Sequence, residues 1–209
     1  MEQKAKADAA ELEAERRKVA ALQSQSLLPP AVREPVEWFV AGPFENHGLD
    51  EVLPPERSIN LAAGMTGKAG IVRWRKGLPE LRLASSGRAA VFDFAAMFTP
   101  NTQTVAYALI HVKSPSAMDA TLLLGSDDGV KVWVNGTVVH RHEQARGVRI
   151  DEDHVPIRLL KGWNPMLFKV GQGNNAWGLA VRITDGSLRP VEDLDYDPMG
   201  DLPRATSGR

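Results

Sequence analysis

The 209-residue sequence predicts an all-β fold, an antiparallel β-sandwich of the jelly-roll kind, preceded by one N-terminal helix. Three observations predict it. Short apolar runs alternate with polar residues from Val36 to Ile183, no helical period lies between them, and Gly, Pro and Asn punctuate the joins. Composition narrows the function. Lys and Arg number 25 against 26 Asp and Glu, a net charge of −1, whereas a binder of phosphate backbones carries a basic excess. No apolar run is long enough to span a membrane, and the first residues lack the apolar stretch of a secretory signal. With no cysteine, disulfides, thiol nucleophiles and thiolate metal sites are excluded.

Residues 1–33 read as a helical connector. Positions 2–23 are rich in Ala, Glu, Lys and Arg without Gly or Pro, and Pro29, Pro30 and Pro35 end the helical pattern. The sandwich spans 34–185. Val36 to Val40 opens it and Gly42-Pro43 signals a stop, after which 43–70 reads as a long irregular loop. Ile71–Arg75, Ala90–Phe94 and Thr104–Val112 follow as strands, the last apolar on both faces and therefore central. Ala120, Leu122 and Leu124 alternate, residues 126–129 turn the chain, and Val130, Val132 and Val134 alternate again. Asn135-Gly136 is a two-residue hairpin signal, because a type I′ turn needs positive φ at both positions. Thr137–His140 returns, and His154–Leu159, Met166 to Val170 and Trp177 to Ile183 complete the series. Residues 186–209 form an acidic, Pro-punctuated tail, read as poorly ordered or peripheral.

The stretch Leu124-Gly-Ser-Asp-Asp-Gly-Val-Lys-Val-Trp-Val-Asn-Gly136, with Leu160-Lys-Gly-Trp-Asn-Pro-Met-Leu-Phe-Lys-Val170, resembles a galactose-binding-like jelly roll of bacterial carbohydrate-active proteins. The sugar-binding domain of the β-galactosidase-type glycoside hydrolases is of this kind. Trp38-Phe-Val-Ala-Gly-Pro-Phe44 resembles the opening of related modules. A second resemblance lies in Ser126-Asp-Asp-Gly129, which is similar to the protective-antigen-type lectin β-barrel, where paired aspartates hold calcium beside a sugar. These likenesses imply a sandwich, a glycan or polysaccharide as partner, neighbouring domains in a larger chain and an extracytoplasmic setting.

Each candidate site has two readings. Asp127 and Asp128 supply hard oxygens to calcium, the one cofactor in view, or they cap backbone amides in a turn. Trp133 is out of phase with Val132 and Val134, so its indole is either a stacking platform for the C–H face of a sugar or is covered by another segment. Asn174, Asn175 and Trp177 stand at a loop-to-strand junction, where amides either bond sugar hydroxyls or serve the turn. His140 and His142 share one strand face, but Arg141, Arg146 and Arg149 disfavour a cation there. No nucleophile elbow, phosphate loop or zinc-protease motif is present, and the carboxylate pairs read as solvated charges. The expectation is a non-catalytic carbohydrate-binding accessory module, with no nucleic-acid partner and no membrane span. The alternatives are a structural or protein-interaction sandwich and a calcium-dependent lectin barrel.

Overall fold

A computed structural model describes residues 37–202, and the helix expected in 1–33 lies outside them. Fourteen strands and two short helices follow in order. β1 is Trp38–Glu45, α1 Pro54–Arg57, β2 Met65–Gly67, β3 Gly70–Val72, β4 Arg75–Gly77, β5 Glu80–Leu83, β6 Arg88–Asp93 and α2 Phe94–Met97. β7 is Thr104–Ser114, β8 Met118–Asp127, β9 Val130–Val134, β10 Thr137–His142, β11 Asp153–Leu159, β12 Gly162–Gln172, β13 Gly178–Thr184 and β14 Asp195–Asp197.

All pairings are antiparallel. The larger sheet runs β10-β9-β12-β7-β1-β4, with β14 also on β7, and the smaller runs β11-β8-β13-β6-β5. The alternation read from sequence fills the space between them. Val130, Val132, Val134, Met166, Phe168 and Val170 of the larger sheet meet Leu122, Leu124, Leu179, Val181 and Ile183 of the smaller in one buried cluster. Trp38 packs on Phe92 and Phe168 at 5.3 and 5.5 Å between ring centroids, extending the cluster across both sheets. Asn135 and Gly136 take φ of 52° and 77°, as the hairpin signal requires.

β7 is buried on both faces, as its two apolar sets demand. Ala106, Ala108 and Ile110 face the smaller sheet, whereas Val105, Tyr107 and Leu109 face the segment that follows β1. This segment is not wholly irregular. It holds α1 and the β2–β3 hairpin, and Phe44, Met65, Val72 and Trp74 pack on the outward face of β7. Gly42-Pro43 does not end β1. The register shifts between Ala41 and Phe44, so a bulge absorbs the turn signal and the strand continues.

One buried cation fixes this covering segment. Lys169 of β12 is 0% exposed, and its ammonium donates to the Glu51 carbonyl at 2.5 Å, Glu56 Oε1 at 3.0 Å and the Leu49 carbonyl at 3.4 Å. The Tyr107 hydroxyl donates to the same Glu56 oxygen. Arg182 of β13 does similar work outside the smaller sheet. It bonds both Asp151 oxygens at 2.7 and 2.6 Å and the hydroxyls of Ser85 and Ser86. The 143–152 connection therefore lies across that sheet, with Val148 and Ile150 on Ala89, Val91 and Ala180. A Cβ at Gly125 would stand 1.7 Å from the Arg149 carbonyl oxygen, so only glycine admits this crossing.

Residues 186–202, read from the sequence as poorly ordered or peripheral, take part in the sandwich. β14 pairs with Lys113–His111 of β7, Leu194 is buried in the main cluster, and the Pro198 carbonyl accepts from His111 Nδ1 at 3.0 Å.

Two outcomes follow. Lys169→Met strands the Glu56 carboxylate in the interior and costs about 3–5 kcal/mol by urea denaturation, with Lys169→Met/Glu56→Gln regaining part of it; a neutral single substitution would refute the clamp. Burial holds His111 below its ordinary pKa of 6.5, against the pull of the Pro198 carbonyl, Asp197 and Asp201. The unfolded chain then takes up this proton before the folded one does. Stability accordingly falls as pH drops from 6.5 toward the lower folded value, and His111→Asn flattens that slope.

Candidate functional site

Four chain segments meet at the end of the sandwich where β8 turns into β9. They are the segment leaving β1, the β8–β9 turn, the end of β10 and the end of β12. Between them lies a cleft of about 450 Å³ lined by Asn46 to Asp50, Asp128, Gly129, Arg141, Glu143, Ala145 and Gly171 to Gly173. Backbone bonds lace its floor. The Asp128 N–H donates to the Gly171 carbonyl at 3.0 Å, and the Gly171 N–H donates to the Gly129 carbonyl at 2.8 Å. Asp128 Oδ2 accepts from the Gly173 N–H at 2.8 Å, and Asn46 Nδ2 donates to the Gln172 carbonyl at 3.0 Å.

The near wall is held from beneath. Leu49 is buried, and its carbonyl accepts from Lys131 and Lys169, each at 3.4 Å. Across the opening, Arg141 Nη1 donates to Asp50 Oδ1 at 2.6 Å, and Nη2 donates to Glu143 Oε1. These carboxylates raise the Arg141 pKa, and the guanidinium in turn holds Asp50 below its ordinary value. The far wall belongs to the 143–152 connection. Arg146 anchors it by donating to Ser126 Oγ at 3.0 Å and to both Asp153 oxygens at 2.9 and 2.5 Å.

Asp127 and Asp128 are joined by a cis peptide bond. Asp127 is 8% exposed, and burial, followed by the neighbouring Asp128 carboxylate, raises its pKa; a backbone N–H from Val148 opposes the rise. The nearby cations are engaged elsewhere, Arg146 on Ser126 and Asp153 and the two lysines on Leu49. Among the described residues, no group of three or more His, Cys, Asp or Glu side chains is placed to hold a metal ion. His140 instead meets Asp153 Oδ2 at 3.1 Å.

The structure brings some of the sequence candidates together. Asp128 lines the cleft, Asp127 sits beside it, and exposed Asn174 and Asn175 follow directly on Gly173 of the rim. Trp133 is set apart. It is half-buried on the outward face of the larger sheet beside the second cluster, with Lys131 Nζ 5.1 Å from its ring centroid. Trp177 is a core residue, 1% exposed. Its indole N–H donates to the Val170 carbonyl at 3.3 Å, and its ring packs on Phe94 and Phe98 at 5.5 and 5.7 Å. A ring so enclosed presents no face to an external ligand. Asn46, Asp50 and Glu143 were not singled out from sequence, and Arg141 only as a charge disfavouring a cation, because no local spacing relates Asp50 to a partner 91 positions away.

No family model matches the chain, and no curated protein sequence matches it. Among solved structures, the PA14 domain of the antifreeze protein MpAFP is similar at 11% identity and a TM-score of 0.43, over 84% of this chain and 99% of that one. The GH31 α-xylosidase of Xanthomonas citri is similar at 9% identity and a TM-score of 0.37, over 70% of this chain. The match spans only 15% of the xylosidase. At such scores, the sandwich assignment rests on the strand topology itself. No described helix is long and apolar enough to cross a membrane.

Asp128→Ala removes the acceptor for the Gly173 N–H. Hydrogen exchange at residues 173–175 is expected to rise at least tenfold while the β12 core keeps its protection; unchanged exchange there would show that the carboxylate does not order the rim.

Proposed function

We propose that the chain is a non-catalytic carbohydrate-binding module that takes a glycan at the cleft formed by residues 46–50, 128–129, 141–145 and 171–173. The observation that carries this reading is the lining. Asp50, Asp128, Arg141, Glu143 and Asn46 converge on an open cleft at the loop end of a rigid sandwich. Planar carboxylate, guanidinium and amide groups of this kind hydrogen-bond neighbouring sugar hydroxyls, and loops held on a rigid scaffold are the usual place for such contacts. Asn174 and Asn175 extend the donor set along the rim. Trp133 lies two residues along β9 from Lys131, about 7 Å away, and gives a longer chain an apolar stacking surface beyond the cleft. An open site of this size binds weakly, so attachment to a larger assembly and multivalency supply the useful affinity. Residues 1–33 would then serve as a connector to a neighbouring domain.

A calcium-dependent form of this reading is favoured by one feature, the Asp127–Asp128 pair. Among the described residues, no cationic side chain is bonded to these two adjacent carboxylates, one of them buried and raised in pKa. Their hard oxygens suit calcium, which takes six to eight such ligands, and the others would be carbonyl groups, water or sugar hydroxyls. Bound calcium would offset the clustered negative charge and polarise the hydroxyls presented to it.

Tryptophan fluorescence during titration with soluble polysaccharides, in calcium and then in EDTA, tests both forms. A saturable change that is weakened at least tenfold by Asp128→Ala is the expected result. Dependence on calcium, lost in Asp127→Asn, would select the second form. No saturation with any polysaccharide in either buffer would favour a structural or protein-interaction role instead.

A further inference from the structure

We propose that the cleft admits uncharged glycans and rejects carboxylated or sulfated ones, and that Asp50 and Glu143 set this selectivity by occupying Arg141. The inference rests on the glycan-binding reading above and deepens it. Arginine is the side chain best matched to a carboxylate or sulfate, because its fork offers two parallel N–H donors. Arg141 is the only Arg or Lys among the described residues that line the cleft. Both of its terminal nitrogens are already taken. Nη1 donates to Asp50 on the near side and Nη2 to Glu143 on the far side. The other nearby cations are turned away, since Lys131 and Lys169 donate to the Leu49 carbonyl and Lys169 also to Glu51 and Glu56.

The surrounding charge reinforces this. Asp50 and Glu143 flank the one guanidinium, and Asp128 adds a third carboxylate to the lining. An entering anion would therefore meet a negative field, and its fork-shaped partner would be engaged on both sides. A hydroxyl, by contrast, can accept from the remaining guanidinium N–H groups and donate to the carboxylates without displacing either. The same arrangement explains why an arginine can stand at the mouth of a cleft without making it an anion site.

Asp50 and Glu143 are largely solvent-exposed, with side chains 80% and 55% accessible, so replacing them leaves the core intact. The test compares the full chain with Asp50→Asn/Glu143→Gln, and with the triple variant that adds Arg141→Gln. Each is titrated by calorimetry with a neutral galactan, a neutral glucan, polygalacturonate and a sulfated galactan, in calcium and in EDTA. The original chain should bind a neutral polysaccharide at least tenfold more tightly than either anionic one. The double variant should gain at least tenfold for polygalacturonate, and the triple variant should lose that gain. Equal binding of neutral and anionic chains by the original protein overturns the selectivity while sparing the glycan reading, as does a double variant with no gain. Silence of every polysaccharide toward all three proteins overturns the glycan reading, and this inference with it.

Discussion

A single ammonium group decides how the outward face of the larger sheet is covered. Lys169 falls at a position where β12 turns its side chain away from the main core, and Leu167, two residues earlier, shares that apolar surface. A buried ammonium is costly unless every donor finds an acceptor. Those acceptors come from outside the sheet, as the Leu49 and Glu51 carbonyls and the Glu56 carboxylate. The chain after β1 must therefore pass over β12 along one path. The near wall of the cleft is the stretch of that path just before the clamp.

Arg182 imposes the corresponding constraint outside the smaller sheet, where it binds Asp151 and the Ser85–Ser86 turn. The two long connections are thus tied down on opposite outer faces, each by a cation projecting from a strand. The cleft is the gap between them, bridged by Asp50, Arg141 and Glu143 at its mouth and closed below by the β8–β9 and β12–β13 turns. Its shape follows from where the loops are anchored and from the hydrogen bonds that lace its floor. Exposed ion pairs such as that of Arg141 add little stability.

The parts of this architecture that were legible in the sequence are those written in short periods. Val130, Val132 and Val134, the two apolar sets of β7 and the Asn135-Gly136 turn each carry their meaning within a few residues. The covering segment was not legible, because Phe44, Leu53, Ile59, Leu61 and Met65 pack on one face without repeating at any interval. The burial of Lys169 was not legible either, because its acceptors lie more than 100 positions away. The site was legible only in part. Asp127, Asp128, Asn174 and Asn175 announce turns and so mark one end of the sandwich, but Asp50, Arg141 and Glu143 gain a role only once remote loops are brought together. For Trp177 both readings stayed open in the sequence because a strand-entry residue can turn its ring either way, and here Phe94 and Phe98 receive it.

β14 has a topological consequence. It occupies the edge of β7 from Lys113 to His111, and β1 takes up the same edge from Leu109 onward, running in the same direction. Strands from opposite ends of the described chain thus make one composite edge strand, broken only at Ile110 of β7, so that their paired positions His111 and Leu109 stand about 7 Å apart. A sandwich joined in this way is nearly circular. A short linker from the end of β14 to the start of β1 would give a continuous ring, which could be reopened at the β9–β10 hairpin, where Gly136 is exposed, with the sheet order unchanged.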